Sequence, residues 1–119
     1  MASHNKVGTD GEELAAVWLA TKGYEILHRN WRYSHYEVDI IAKKNKILKF
    51  VEVKCRNASP YGGFPEESVT KKKFKSLKQA ADEYLFLNPG HKWIQYDVLA
   101  ITLYKDKEPE FFLLEDVYL

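Results

Sequence analysis

Two short apolar runs joined by a basic turn constrain this chain more than any other feature. Each run carries an acid where a strand would normally bury only hydrocarbon. Residues 37–54 read Glu-Val-Asp-Ile-Ile-Ala-Lys-Lys-Asn-Lys-Ile-Leu-Lys-Phe-Val-Glu-Val-Lys. Val38, Ile40 and Ile41 flank Asp39, while Phe50, Val51 and Val53 flank Glu52, with Lys54 just beyond. Charge in such surroundings is costly unless it is paired, hydrated or bound to a metal. Two acids and a lysine so placed suggest a divalent-metal site for cutting phosphodiesters. Glu-Val-Lys by itself is also what any half-exposed antiparallel strand looks like.

A turn centred on Lys44-Asn45 would fold the segment into a hairpin, since Asn tolerates the left-handed backbone of tight turns. With a two-residue loop, Lys43 pairs with Lys46 and Ile41 with Leu48. Asp39 then lies opposite Phe50, and Glu37 opposite Glu52. A four-residue loop keeps this register, and alternation sends Asp39, Glu52 and Lys54 to one face. Two carboxylates at diagonal ladder separation can share one hard cation through oxygen ligands. A three-residue loop would move Asp39 to the opposite face, so the inference depends on register.

The chain has 119 residues, enough for one compact domain spanning 1–119 and too few for two. Net charge is only +1, so attraction for nucleic acid must come from local clusters. Lys43, Lys44, Lys46 and Lys49 form one such cluster, and Lys71, Lys72, Lys73, Lys75 and Lys78 another. Each also reads as a solvated face. The lone Cys55 excludes an internal disulfide and fits a reducing compartment. Alternation places it with Val51 and Val53, as a buried thiol. His4, His28, His35 and His91 show neither zinc spacing nor cysteine partners. No signal-peptide core or membrane-length apolar run occurs, and a cytoplasmic location is expected.

Residues 9–22 read as a helix with Leu14, Val17, Trp18 and Thr21 on one face and Gly23 as its stop. Thr9 and Glu12 have capping-box spacing. Residues 24–28 and 31–33 look like short extended segments before the hairpin. A loop at 57–67 contains Ser59-Pro60 and Gly62-Gly63. A second helix is expected over 67–87, with Phe74, Leu77, Ala81, Tyr84 and Leu85 inward. A strand at 93–104 and a final strand at 111–114 complete the order α-β-β-β-α-β-β. That order predicts an α/β fold with one mixed central sheet flanked by helices.

Read in sequence, Gly11-Glu12-Glu13-Leu14-Ala15, Gly23-Tyr24, Asn30-Trp31-Arg32, Glu37-Val38-Asp39-Ile40-Ile41, Phe50-Val51-Glu52-Val53-Lys54-Cys55-Arg56, Val69 with Lys73, and Tyr96-Asp97-Val98 resemble the YraN-like proteins. That family is similar to archaeal Holliday-junction resolvases and to the wider restriction-endonuclease-like nucleases. The resemblance covers nearly the whole chain and implies a restriction-endonuclease-like core. It places the nuclease aspartate at Asp39, the glutamate at Glu52, the lysine at Lys54 and the helix-one glutamate at Glu12, with Glu13 as a neighbouring alternative. Tyr36 stands where the family pattern has Gly, and Gln95 where it has Arg.

The implied function is metal-dependent endonucleolytic hydrolysis of DNA, with branched or structured DNA suggested by the resolvases alone. Asp39, Glu52 and the Val53 carbonyl would hold Mg²⁺ or Mn²⁺. Lys54 would orient water or stabilise charge on the phosphate. Glu12 would complete the site or merely cap its helix, and Glu37 would add a ligand or only sit on the strand edge, the edge being the favoured reading. Asp97 would be an acid just beyond the metal ligands or, the favoured reading, a solvent-facing residue at a strand start. Arg56, Lys73, Arg32 and Lys72, with Arg29, are the expected nucleic-acid contacts. Trp31 reads as core. Resolvases act as dimers, which makes a homodimer an implied partner. The alternative is a non-catalytic nucleic-acid-binding module with the same fold.

Overall fold

The computed structural model describes residues 3–58 and 71–118, with side chains described from residue 11 onward. Helix α1 (Ser3–Thr21) leads into β1 (Glu25–Tyr33), β2 (Tyr36–Lys44) and β3 (Ile47–Asn57). Helix α2 (Lys71–Leu87), β4 (Trp93–Leu103) and β5 (Glu110–Leu114) follow, in the element order read from the sequence. The five strands form one sheet in the order β1-β2-β3-β4-β5. Only β3 and β4 run parallel, joined through the segment that contains α2. Most of the expected 57–67 loop, Val69 and the first turn expected for the second helix lie outside the described residues.

One helix packs on each face of the sheet. Phe74, Leu77, Ala80, Ala81 and Tyr84 of α2 recur at helical spacing and meet Val38, Ile41, Leu48, Phe50 and Val98. Leu85 is only half-buried, and Ala80 takes the fully inward position. Tyr84 anchors this face, with Trp31 and Phe50 both edge-on to its ring. On the other face, Ala15, Ala16 and Leu19 of α1 cover Ile40, Ala42, Val51, Leu99 and Ile101.

The inward face of α1 therefore differs from the expected one. Val17 is 55% exposed, and Leu14 and Trp18 sit at the margin, Trp18 stacked on Phe111. Close approach explains the change. A Cβ on Gly11 would lie 2.6 Å from the Cys55 Cβ and 2.9 Å from its Sγ, so only small residues fit this seam. The helix also begins upstream of the expected cap, placing Thr9 inside it rather than at an N-cap. Its end follows expectation: Gly23 has φ 91°, and the Gly23 and Tyr24 amides donate back to Ala20 and Leu19.

The β2–β3 hairpin turns on Asn45-Lys46, one residue later than expected, with φ of 52° and 66°. Lys44 pairs with Ile47, Lys43 with Leu48 and Ile41 with Phe50. Partners shift by two residues, so parity is preserved although the expected Ile41–Leu48 and Asp39–Phe50 pairs do not form. The two expected segments before the hairpin are one strand, β1, with a bulge between Ile26 and His28 and a left-handed Asn30.

Two further expectations are overturned in the core. Asp97 is fully buried, and Lys49 is 3% exposed rather than part of a basic surface. Their charged atoms lie 3.4 Å apart. Tyr24 donates to Asp97 Oδ2 at 3.0 Å, and the Asp116 amide donates to Oδ1 at 3.1 Å. Lys49 also donates to Gln95 and, at 3.3 Å, to Glu115. Strand β4 is covered on both faces here, so a polar side chain on it must carry its partners inside.

Lys46 holds a left-handed conformation that costs an L side chain about 1 kcal/mol. Lys46→Gly should raise the urea midpoint by an amount worth about 0.5–1 kcal/mol, with an unchanged m-value.

Candidate active site

The β2–β3 ladder stops at the Ile40–Val51 pair. Beyond it, the Val53 amide donates at 2.8 Å to Asp39 Oδ2. On β2, Val38 and Ile41 pack towards α2, whereas Ile40 and Ala42 pack towards α1. Strict alternation would keep Val38 with Ile40, so the pleat changes phase at Asp39. Its neighbour across β1 is Asn30, between the Arg29–Ile40 and Trp31–Val38 pairs, with φ 53°. Asn is among the few residues that adopt this backbone readily. Both strands deform together there, and the Asp39 carboxylate is left at the junction of the two faces.

Glu12 comes to that junction from α1 and Glu37 from β2. One carboxylate oxygen from each of Glu12, Glu37 and Asp39 lies within 4.8 Å of the others. Glu12 is thus the helix-one acid of the site. Glu13 points away and pairs with Arg29 at 2.8 Å. Gly11 makes this possible, because its contact with Cys55 seats the helix against β3 one residue before Glu12.

Asp39, Glu37, Glu52 and Lys54 line a cleft of about 500 Å³ with His35, Lys72, Lys73, Ser76 and Leu77. Acids form one wall and α2 supplies lysines to the other. Lys54 pairs with Glu52 at 3.3 Å, and both are half-buried. Glu37 is held by the Arg32 guanidinium at 2.8 Å. Burial pushes the Asp39 carboxyl up to about 8, with the charges of Glu52 and Glu37 adding and the Val53 amide opposing. Lys73 is held below the ordinary lysine value, chiefly by Lys54 beside it.

Residues 11–101 match the profile of Uncharacterised protein family UPF0102. The chain belongs to this family. It is 44% identical over 110 residues to a UPF0102 protein of Chlorobium phaeobacteroides, covering 92% of this chain and 86% of that one. A UPF0102 protein of Flavobacterium psychrophilum is 40% identical over 108 residues, covering 91% and 88% of the two chains. Another, from Chloroherpeton thalassium, is 40% identical over 119 residues, covering 93% and 92%. The matched span includes every acid of the cleft and both of its α2 lysines.

Within this family fold, the structure brings together most of the residues singled out from sequence. Asp39, Glu52, Lys54, Lys72 and Lys73 share the cleft. Glu12 reaches Asp39 from behind, in place of the capping role. Glu52 stands outside the closest carboxylate group, and Glu37, expected at the strand edge, stands inside it. Val53 meets the site through its N–H. Arg32 and Arg29 are engaged with Glu37 and Glu13. Arg56 does not line the cleft and acts electrostatically on Tyr104. His35 and Ser76 carry no mark in the sequence that assigns them to the cleft, since a turn residue and a helix residue meet there only after folding.

The raised Asp39 value has a consequence for apo stability. An acid whose pKa rises on folding stabilises the fold below its unfolded value and loses that contribution as pH climbs towards its folded one. Without divalent ions, Asp39→Asn should therefore match wild type near pH 4 and exceed it increasingly towards pH 8. The gain at neutral pH should be on the order of 2 kcal/mol, read from urea unfolding across that range. A destabilised variant at pH 7 would assign Asp39 a structural role.

Proposed function

We propose that this protein is a metal-dependent endonuclease that hydrolyses DNA phosphodiesters. The observation that carries this reading is the meeting of Glu12, Glu37 and Asp39 within 4.8 Å at a cleft whose far wall is lysine. Three carboxylates this close repel one another, and only Glu37 has a fixed guanidinium among the described residues. Oxygen-only donors at such spacing fit a hard divalent cation, Mg²⁺ or Mn²⁺. Glu52 is near enough to Asp39 to raise its pKa and so to join the ligand set. Such an ion supplies charge to the phosphate oxygen and acidity to a bound water.

The chain's own residues do the rest. The Val53 amide fixes one oxygen of Asp39, leaving the other to turn towards a ligand. Lys54, held by Glu52, presents its ammonium to charge that develops on the scissile phosphate. Lys72 and Lys73 attract the backbone of the bound strand and hold its register without reading sequence. The likeness to Holliday-junction resolvases suggests branched DNA as substrate and a homodimer as the working unit.

A second reading, a non-catalytic nucleic-acid-binding module, is favoured by the exposed lysines at 71, 72, 73, 75 and 78 on one helix. The two separate experimentally. Calorimetry with Mg²⁺ and Mn²⁺ should show binding that Asp39→Ala abolishes and Glu12→Gln weakens about tenfold or more. With Mn²⁺ present, wild type should nick branched DNA, and Lys54→Ala should retain metal affinity while losing about 100-fold or more in rate. Gel retardation without metal, cleavage by no preparation and sensitivity only to charge reversal at 71–78 would establish the binding module instead.

A further inference from the structure

We propose that Lys71, Lys75 and Lys78 of α2 form a second phosphate-binding groove, which holds the backbone of the nucleic-acid strand that is not cut. The inference rests on the nuclease reading for the strand in the cleft and adds a separate site to it. Residues 71–78 of α2 divide without overlap. Lys72, Lys73, Ser76 and Leu77 line the cleft, whereas Lys71, Phe74, Lys75 and Lys78 line a groove of about 350 Å³. At about 3.6 residues per turn, the two sets of lysines lie on opposite flanks of the helix. The stripe that packs on the sheet runs between them on the inner side. The helix is thus the wall between cleft and groove.

The floor of the groove is Phe74, buried and edge-on to Tyr96 with centroids 5.4 Å apart. The Lys78 ammonium lies over the Phe74 ring at 5.7 Å, which keeps that charge in the groove. Lys71 and Lys75 are four residues apart and Lys75 and Lys78 three, so each cation is a neighbour of the next. None of the three has an ion-pair partner among the described residues, and no acid among those residues lines the groove. The cleft differs, since Glu52 and Asp39 act on Lys73 there and Lys54 is paired with Glu52. Asp82, a turn beyond Lys78, ends the basic run. Three uncompensated cations repel one another until a polyanion joins them. A phosphodiester backbone has the matching spacing. From Lys71 to Lys78 the helix rises about 10 Å, a length over which one strand of a duplex presents about three phosphates. A helix with its side chains is about 10–12 Å across, and a major groove is about 12 Å wide. Laid in that groove, α2 meets one backbone at the cleft and the other at Lys71, Lys75 and Lys78.

The experiment compares wild type with the triple variant Lys71→Gln/Lys75→Gln/Lys78→Gln and with a control of equal charge loss, Lys22→Gln/Lys92→Gln/Lys105→Gln. All six lysines are exposed, and Gln nearly matches Lys in helix propensity, so both variants should fold. Fluorescence anisotropy in Ca²⁺, which takes the same oxygen ligands as Mg²⁺, follows binding of a DNA duplex and of one of its strands alone. The groove variant should bind the duplex at least about tenfold more weakly than the control does. The steepness of its salt dependence should fall by about two to three. Its loss on the single strand should stay within about threefold. Equal losses for groove variant and control, or equal losses on duplex and single strand, would overturn the groove while cleavage with Mn²⁺ kept the nuclease reading. Binding as expected with no cleavage in Mn²⁺ would sink the nuclease reading and leave the groove as a contact to the second strand. A wild type that binds neither DNA would overturn both.

Discussion

The site depends on one hydrogen bond, from the Val53 amide to the Asp39 carboxylate. A strand amide inside a sheet must find an acceptor, and β2 stops supplying backbone partners after the Ile40–Val51 pair. Asp39 fills the gap with its side chain. That substitution draws an acid into the sheet, turns the pleat, and demands the matching left-handed Asn30 on β1. Without it the two strands would continue as a ladder, and the carboxylate would point to one face alone. With it, Asp39 stands where α1 and α2 both reach.

Each helix then contributes by packing. Gly11 lets α1 settle on Cys55, which brings Glu12 to the acids from one side. The parallel β3–β4 pair needs a crossover, and α2 within that crossover brings Lys72, Lys73 and Ser76 to the other side. The outcome is a cleft with opposite charge on facing walls. Contrast with Asp97 shows why this matters. Burial raises both carboxyls, yet Asp97 is steadied by Lys49, Tyr24 and the Asp116 amide, while two further acids press on Asp39. Asp97 is a buried acid met by donors and satisfied within the fold, whereas Asp39 is met by other acids beside an open cleft.

Much of this was legible in the residues. The element order follows from periodicity, and the shared cleft of Asp39, Glu52 and Lys54 was reached through a hairpin whose turn is in fact one residue further on. The displacement is even in partner number, so Glu52 kept its expected face, while Asp39 meets it where the pleat changes phase. Where reading failed, a neighbour distant in sequence had decided. The largest apolar residues of α1 marked the wrong face, because close approach selects Gly11, Ala15 and Ala16 over Trp18. Lys49 and Asp97 looked like surface charges, because nothing local reveals that they face each other across β3 and β4.

By itself the sequence determined which strands form, in what order, and that acids would interrupt two of them, since these follow from side-chain alternation and local backbone preference. Only the tertiary structure decided that Glu12 rather than Glu13 faces Asp39, that Glu37 joins them, and that Arg29 and Arg32 are spent on partners. Those outcomes turn on ångström-scale distances between helix and sheet. Packing across elements sets such distances, and no residue encodes them alone.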